Sequence, residues 1–508
     1  MTMEQDETSH FQDPLVVATS EIHHDAAAML NDHVADEASA ELADMLSGAS
    51  PMERILLKAS AGAGKSYALK RLVVEATQQA CGQRVAITAF TNKQLRPLAI
   101  ALGESLGKGT VALLAGKSAY DEIPDEVLKA ATVVTSTASL PADVKVVIAT
   151  VARFGAIGEH RRLTAHLGTA SDGASPFDVL FVDEAWQIAH HLFDKVTKFA
   201  PLWVGVGDVG QLPPIEIGEN PWRGDPGYNP YRAWPTDYED DTRTWSRELP
   251  AVWRPAAGHL ALWRAFYPEW ESLDCVAALG DRAIDLGSMD EGAAEIWQQV
   301  GTGVPTLLEV DGLSDPEAAD IDLPLMAFIE ELLEKFFAAD ASLVSAVYDS
   351  DVPGRPTGAW QTARPRGDHS DPLVTILATR NQSVDDATEM VERLQRKYDL
   401  TDRDIVASTV DSWQGQTNGV TIAVHPLNGA IELDVFNSAF GRLAVACTRA
   451  THGLLMLARP GLDDLLDEAP ARSGTPFGEP GTRQLPRQTH ARILATFARS
   501  NIDVSDDQ

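Results

Sequence analysis

Lys65 and Ser66 close a run of small residues, Ala59-Ser60-Ala61-Gly62-Ala63-Gly64, and Asp183 and Glu184 close an apolar run, Val179-Leu180-Phe181-Val182. The first group is suited to hold phosphate. Gly62 and Gly64 permit a tight turn whose backbone N–H groups point inward, and a helix N-terminus adds partial positive charge at the same spot. In such a cradle Lys65 reaches the β- and γ-phosphates and the Ser66 hydroxyl sits on Mg²⁺. Ala59 stands where that pattern wants Gly. The second group offers two carboxylates at the end of a buried-type strand. Asp183 fits a Mg²⁺ partner, and Glu184 fits the group that orients or deprotonates an attacking water. Taken alone, a small-residue turn and a surface acidic pair are the plain alternatives.

The elements that must position these groups are those of an α/β protein with a parallel sheet. An apolar strand through Leu56-Leu57 precedes the loop, and a helix opens at Tyr67. Residues 84–90 form another apolar strand, leading to Thr91-Asn92-Lys93. Residues 144–151 form a third, with Thr150 and Arg153 near its end, and Leu202-Trp203-Val204-Gly205-Val206-Gly207 a fourth. That fourth strand runs into a Gly-Asp turn, after which Gln211 projects where a γ-phosphate is sensed and Pro213 and Pro214 stiffen the chain. Ligands of doubly wound sheets gather at the carboxyl ends of strands. Thr91, Asn92 and Lys93 are therefore placed for a nucleic-acid phosphate, with a capped strand-to-helix turn as the alternative.

Composition narrows the class. The 508 residues suffice for two or three domains, and 44% hydrophobic with 23% charged residues is ordinary for a soluble protein. No apolar run reaches the length of a membrane span, and the acidic start Met1-Thr2-Met3-Glu4 lacks the order of a signal peptide. Cys81, Cys275 and Cys447 form neither a disulfide framework nor a zinc spacing, so a cytoplasmic setting is expected. The net charge of −33 argues against a broad electrostatic grip on nucleic acid, although a narrow basic track remains compatible with it.

In chain order, Ala59-Ser60-Ala61-Gly62-Ala63-Gly64-Lys65-Ser66, Thr91-Asn92-Lys93, Asp183-Glu184-Ala185-Trp186-Gln187 and Gly207-Asp208-Val209-Gly210-Gln211-Leu212-Pro213-Pro214 resemble the motifs of the superfamily-1 helicases. Further along, Val252-Trp253-Arg254-Pro255 resembles the family's aromatic-Arg element, with Trp for the usual Tyr. Asp411-Ser412-Trp413-Gln414-Gly415 resembles its Asp-Ser-Phe-Gln-Gly element, with Thr417 where some relatives carry Glu. Arg442-Leu443-Ala444-Val445-Ala446-Cys447-Thr448-Arg449-Ala450 resembles the helix that carries its arginine finger.

The resemblance implies two RecA-like P-loop domains, 51–245 and 246–460, with insertions near 103–140 and 270–370. A small acidic helical arm (1–50) precedes them, and a linker with a helix over 488–499 (461–508) follows. It implies ATP and Mg²⁺ as ligands. Lys65, Glu184, Gln211, Arg254 and Arg449 would be catalytic. Gly62, Ala63, Gly64, Lys65, Ser66, Tyr67, Gln187, Trp253 and Gly415 would contact the nucleotide, Trp253 by stacking on adenine. Ser66 and Asp183 would hold the metal. Thr91, Asn92, Thr150, Pro214, Ser412 and Trp413 would line a track for single-stranded DNA or RNA, DNA favoured. The expected function is an ATP-driven helicase or translocase, with no membrane partner. An ATP-driven switch in a larger complex of protein subunits, and a nucleotide-bound scaffold without turnover, are the competing classes.

Overall fold

A computed structural model describes residues 11–79, 84–210, 214, 229–270, 272–318, 321–433, 437, 440–469 and 486–504. The first eight strands are β1 (Arg54–Ala59), β2 (Val85–Thr88), β3 (Val111–Leu114), β4 (Thr132–Val134), β5 (Val146–Ile148), β6 (Val179–Asp183), β7 (Leu202–Gly207) and β8 (Thr244–Leu249). They form one sheet in the order β4-β3-β5-β2-β6-β7-β1-β8, with every neighbouring pair parallel. A parallel sheet is covered on both faces, so its central strands are apolar without alternation. Strand β6 accordingly buries all of Val-Leu-Phe-Val-Asp. Because the strands point one way, the segments after β1, β2, β5, β6 and β7 emerge along one edge.

The chain continues with β9 (Ala251–Val252) and β10 (Asp274–Cys275), a short parallel pair. Then come β11 (Arg282–Asp285), β12 (Thr306–Asp311), β13 (Ser342–Tyr348), β14 (Pro356–Ala363), β15 (Val374–Ala378), β16 (Ile405–Thr409), β17 (Asn418–Val424), β18 (Ala450–Ala458) and β19 (Ala498–Asp503). Strands β11, β13 and β14 form a small antiparallel sheet. The remaining six form a second parallel sheet, β16-β15-β17-β18-β12-β19. The protein is thus α/β, with two parallel sheets. No helix among the described residues is long and apolar enough to cross a membrane.

Several stretches differ from expectation. The supposed insertion at 103–140 carries β3 and β4, which extend the first sheet at its edge. Strands of four and three residues are too short to stand out in sequence. The supposed insertion at 270–370 contains β12, an inner strand of the second sheet. The tail's helix covers Pro486–Leu494 rather than 488–499, and Ala498–Asp503 is strand β19, paired with β12.

Among the described residues of the acidic arm, Gln12 bridges Arg499, and His24–Ser47 forms one helix, α1, on α2 (Lys65–Gln78). Its buried face is Ala28, Ala35, Ala38 and Leu42. A stripe built mostly of alanine is small enough to let two helices approach yet weak as a hydropathy signal. In the aromatic stretch at 215–245, Trp234 is fully buried and stacked on Phe193 at 3.8 Å, and Tyr238 lies under the Arg54 guanidinium. These two aromatics pack on the body of the first sheet rather than standing free. Trp222 and Tyr228 lie outside the described residues.

Candidate functional site

Strand β1 ends at Ala59, and the chain turns through Gly62 and Gly64 into α2, which begins at Lys65. Gly62 has φ +76°, and a Cβ there would lie 2.3 Å from the Cβ of Arg254. Only glycine fits, because the backbone is left-handed and the strand-following segment at 253–254 passes so close. The contact is sealed by Trp253 N–H donating to Gly62 O at 2.8 Å. Ser60 Oγ is buried in the same loop without a hydrogen-bond partner. A buried hydroxyl left open beside inward-facing amides is what a phosphate-binding loop presents before its anion arrives.

Strand β6 delivers Asp183 and Glu184 to the same edge. Glu184 has φ +52°, a strained value for a residue with a side chain. The Lys65 ammonium is paired with the Glu184 carboxylate. The other Glu184 oxygen accepts from Gln187 Nε2 at 3.1 Å, and Gln187 Oε1 accepts from Gln94 Nε2 at 2.9 Å. Gln187 therefore orients Glu184 and is itself held from α3 (Asn92–Leu106). Burial alone disfavours the Lys65 charge, but Glu184, Asp183 and Asp208 outweigh it and raise its pKa. Asp183, 5% exposed, is pushed up to about 7 by burial and by the neighbouring Glu184 charge. Burial also raises Asp208.

Two arginines come near this acidic edge: Arg254, which follows β9 and abuts the phosphate loop, and Arg449, which immediately precedes β18 of the second sheet. Arg254 donates to Thr417 Oγ1 and to Thr448 O, both at 3.1 Å. Arg449, fully buried, follows the helix Phe440–Cys447 and donates to Thr448 Oγ1 at 2.9 Å and to Val445 O at 3.3 Å. Neither pairs with a carboxylate within ion-pair distance among the described residues. Burial and the Arg449 charge lower Arg254 to about 9, and Asp208 partly opposes this. Burial lowers Arg449 as well, against the fields of Asp208, Tyr267 and Glu184. Those shared partners place both guanidiniums at the Asp208 end of the cleft. A pair of buried like charges without counter-ions is costly, and an anion seated between them and Lys65 relieves it.

Beside the loop lies an apolar cavity of about 260 Å³, lined by Ala28, Asp32 and Ala35 of α1, by Gly64 and Tyr67, and by Trp253 and Pro353. Asn31 pins its floor by donating to Ala63 O and Ala251 O, each at 2.8 Å. Sequence reasoning missed Asn31 and Asp32, which lie on the alanine-striped helix. Thr417 stands out only as a departure from the resembled motif and Tyr267 only as one of an aromatic pair; neither position discloses its partner.

The other expected positions are spread along the strand-exit edge. Thr91 Oγ1 accepts from Gln94 N–H, and Gln94 accepts from Thr91 N–H, so Thr91 caps α3 in a reciprocal box. Asn92 is its first helical residue. Thr150 Oγ1 accepts from Arg153 N–H and caps the next short helix. Ser412 O accepts from Lys93 Nζ at 3.3 Å, a bridge between the two sheets' loops. Trp413 is partly buried and spends its indole N–H on Asn418 Oδ1 at 3.0 Å. Pro214 is buried, and Gly415 has φ +80°. Gln211 lies outside the described residues, as do Leu212, Pro213 and Cys81.

Residues 42–221, about a third of the chain, match the family model of the AAA domain. No curated protein matches the chain. Solved structures similar to it include a PRRSV helicase, 14% identical, covering 84% of this chain and 57% of that one, with a TM-score of 0.37. Another is the helicase nonstructural protein 10 of an arterivirus, at 14% identity, 84% and 63% coverage and TM-score 0.39. A third is the DUF1998 helicase MrfA bound to DNA, at 9% identity, 98% and 55% coverage and TM-score 0.41. The chain spans 55% to 63% of the length of these three.

Proposed function

We propose that this protein hydrolyses ATP in a cleft between two RecA-like lobes, 51–245 and 246–460, and uses the cycle to move along single-stranded nucleic acid as a superfamily-1 motor, DNA before RNA. The observation that carries the reading is the charge arrangement of the cleft. Lys65 and the acid pair stand on one side, and the guanidiniums of Arg254 and Arg449 stand on the other with no carboxylate in ion-pair contact among the described residues. A triphosphate supplies the missing negative charge.

In this reading Ser60, Gly62, Ala63 and Gly64 wrap the phosphates. Lys65 leaves Glu184 for the β- and γ-oxygens. Glu184, aimed by Gln187, orients the attacking water and takes its proton. Asp183 and Ser66 suit a divalent cation, because two adjacent buried carboxylates share a single ammonium. That cation would neutralise charge developing on the phosphate oxygens. Arg449 and Arg254 stabilise the transferring phosphoryl group, so turnover requires the two lobes together. The base occupies the apolar cavity against Trp253, where Asp32 accepts from an exocyclic amino group. Loss of the γ-phosphate removes what holds the arginines, and the lobes part.

The test is the ATPase rate with and without single-stranded DNA or RNA across a salt series. Stimulation that fades with salt supports the motor. Lys65→Ala is expected to abolish hydrolysis, and Glu184→Gln to lower kcat at least about 100-fold while nucleotide still binds. A Glu184→Gln variant that keeps full turnover contradicts the assigned base. A second reading, an ATP-driven switch within a larger complex, is favoured by the net charge of −33. It predicts turnover indifferent to either nucleic acid.

A further inference from the structure

We propose that Tyr267 is a positioning residue of the nucleotide site: its hydroxyl ties the turn at 207–210 to the phosphate loop and so fixes Asp208 against Lys65. The inference rests on the nucleotide reading above but concerns a residue that reading does not use. Tyr267 is 4% exposed and follows the short helix Leu260–Phe266. Its hydroxyl has one proton, and it donates that proton to Asp208 Oδ1 at 2.7 Å. The same oxygen accepts from the Ala61 N–H of the phosphate loop at 3.1 Å. Asp208 Oδ1 also accepts from Gly210 N–H at 2.9 Å, which closes the turn.

The ring is as tightly placed as the hydroxyl. A Cβ on Gly210 would lie 2.6 Å from Tyr267 Cε1, so the turn rests directly on the ring. One turn earlier on the same helix, Trp263 Nε1 donates to Ala61 O at 2.8 Å. Both backbone groups of Ala61 are thus held by side chains from one short segment. That segment also packs Phe266 on Phe440, the first residue of the helix leading to Arg449. Asp208 acts on Lys65, Glu184, Arg254 and Arg449, so a shift of the turn moves a charge that each of these four feels.

Tyr267→Phe keeps the ring and removes only the tie. Two measurements on the full chain test it. In the nucleotide-free protein, amide hydrogen exchange in peptides spanning 59–66 and 207–210 is expected to rise about fivefold, the worth of one lost hydrogen bond, with the second sheet unchanged. In steady-state ATPase assays kcat is expected to fall about tenfold with the ATP KM within about twofold. Asp208→Ala, which removes the acceptor as well as the charge, should lose at least as much, and the double variant no more than Asp208→Ala alone, because both break one connection. Trp263→Phe, which keeps the hydroxyl tie, is the comparator and should not abolish that coupling. Unchanged exchange in both peptides, unchanged kcat, or additive losses in the double variant each overturn the proposal. A wild-type protein that hydrolyses no ATP overturns the nucleotide reading and the positioning role with it, while the exchange data still show whether the tie exists.

Discussion

The two walls of the proposed nucleotide cleft are built to opposite charge rules. On the first-sheet wall Lys65 is already answered by Glu184, with Asp183 and Asp208 nearby. On the opposing wall the Arg254 guanidinium, which reaches from the segment after β9 to Thr417 and Thr448, and Arg449 are held by carbonyls and hydroxyls alone among the described residues. The first wall is therefore organised before any ligand enters. The second carries two guanidiniums that form no ion pair among the described residues and are only partly offset by the field of Asp208. In the proposed reading the difference gives the walls separate tasks: the first would bind and prepare, and the second would respond only when a phosphate is present.

The largest effect expected from this comparison falls on Arg449. Arg449→Ala should lower kcat by about 10³-fold, within the range for a finger arginine, and leave ADP affinity nearly unchanged. Arg449→Met sharpens the point. It keeps the volume and removes one of two neighbouring buried charges, so the nucleotide-free protein should melt no lower than wild type. Its stabilisation by a non-hydrolysable ATP analogue should shrink. Differential scanning fluorimetry reads both quantities. A marked drop in the nucleotide-free melting temperature would mean that Arg449 serves packing, and the asymmetry of the walls would lose its meaning.

A middle-sized effect tests the first wall through pH. Asp183 in the folded chain is pushed to about 7, against an ordinary 3.8. Its folded value is the higher one, so the native state keeps a proton that the unfolded chain has released. The stability linked to this group is complete below about pH 4 and is lost as pH rises through about 7. A divalent cation needs the ionised carboxylate. The extra melting temperature conferred by Mg²⁺-ADP over ADP alone should therefore be larger at pH 8 than at pH 6. Asp183→Asn should flatten that difference. Equal Mg²⁺ increments at both pH values in the wild type would remove Asp183 from the metal site.

The same contrast governs how much the sequence discloses. The first wall is legible because each piece is local: Gly62 and Gly64 precede Lys65 within a few residues, and Asp183-Glu184 ends an unbroken apolar strand. The second wall is legible only through resemblance, since Arg254 and Arg449 lie far apart and an isolated arginine has no pattern. Thr417 and Thr448, which hold Arg254, become partners only when β17 and β18 pair. The α1 contribution to the cavity is hidden by its alanine stripe. Strand β19 is hidden because Ala-Arg-Ser-Asn-Ile-Asp is a strand only by virtue of β12 beside it. Long-range pairing decided these elements, and periodicity does not record it.

The smallest effects lie at the strand-exit edge, where Thr91 and Thr150 already have work as helix caps. Losing a cap costs about 1 kcal/mol, or roughly 2–4 °C of melting temperature in a lobe of this size. Thr91→Ala and Thr150→Ala should each show that loss, with unstimulated ATPase within about twofold of wild type. Alanine alone does not separate a cap from a phosphate contact, because it removes both. Aspartate does: it caps as well as threonine and suits the helix dipole, yet it repels a phosphate backbone. Thr91→Asp and Thr150→Asp should thus hold the melting temperature while reducing stimulation by single-stranded DNA several-fold, most strongly at low salt. Aspartate variants stimulated like wild type would leave these threonines as caps alone. The track would then have to run elsewhere, and the pre-organised cleft and the exposed edge would no longer belong to one machine.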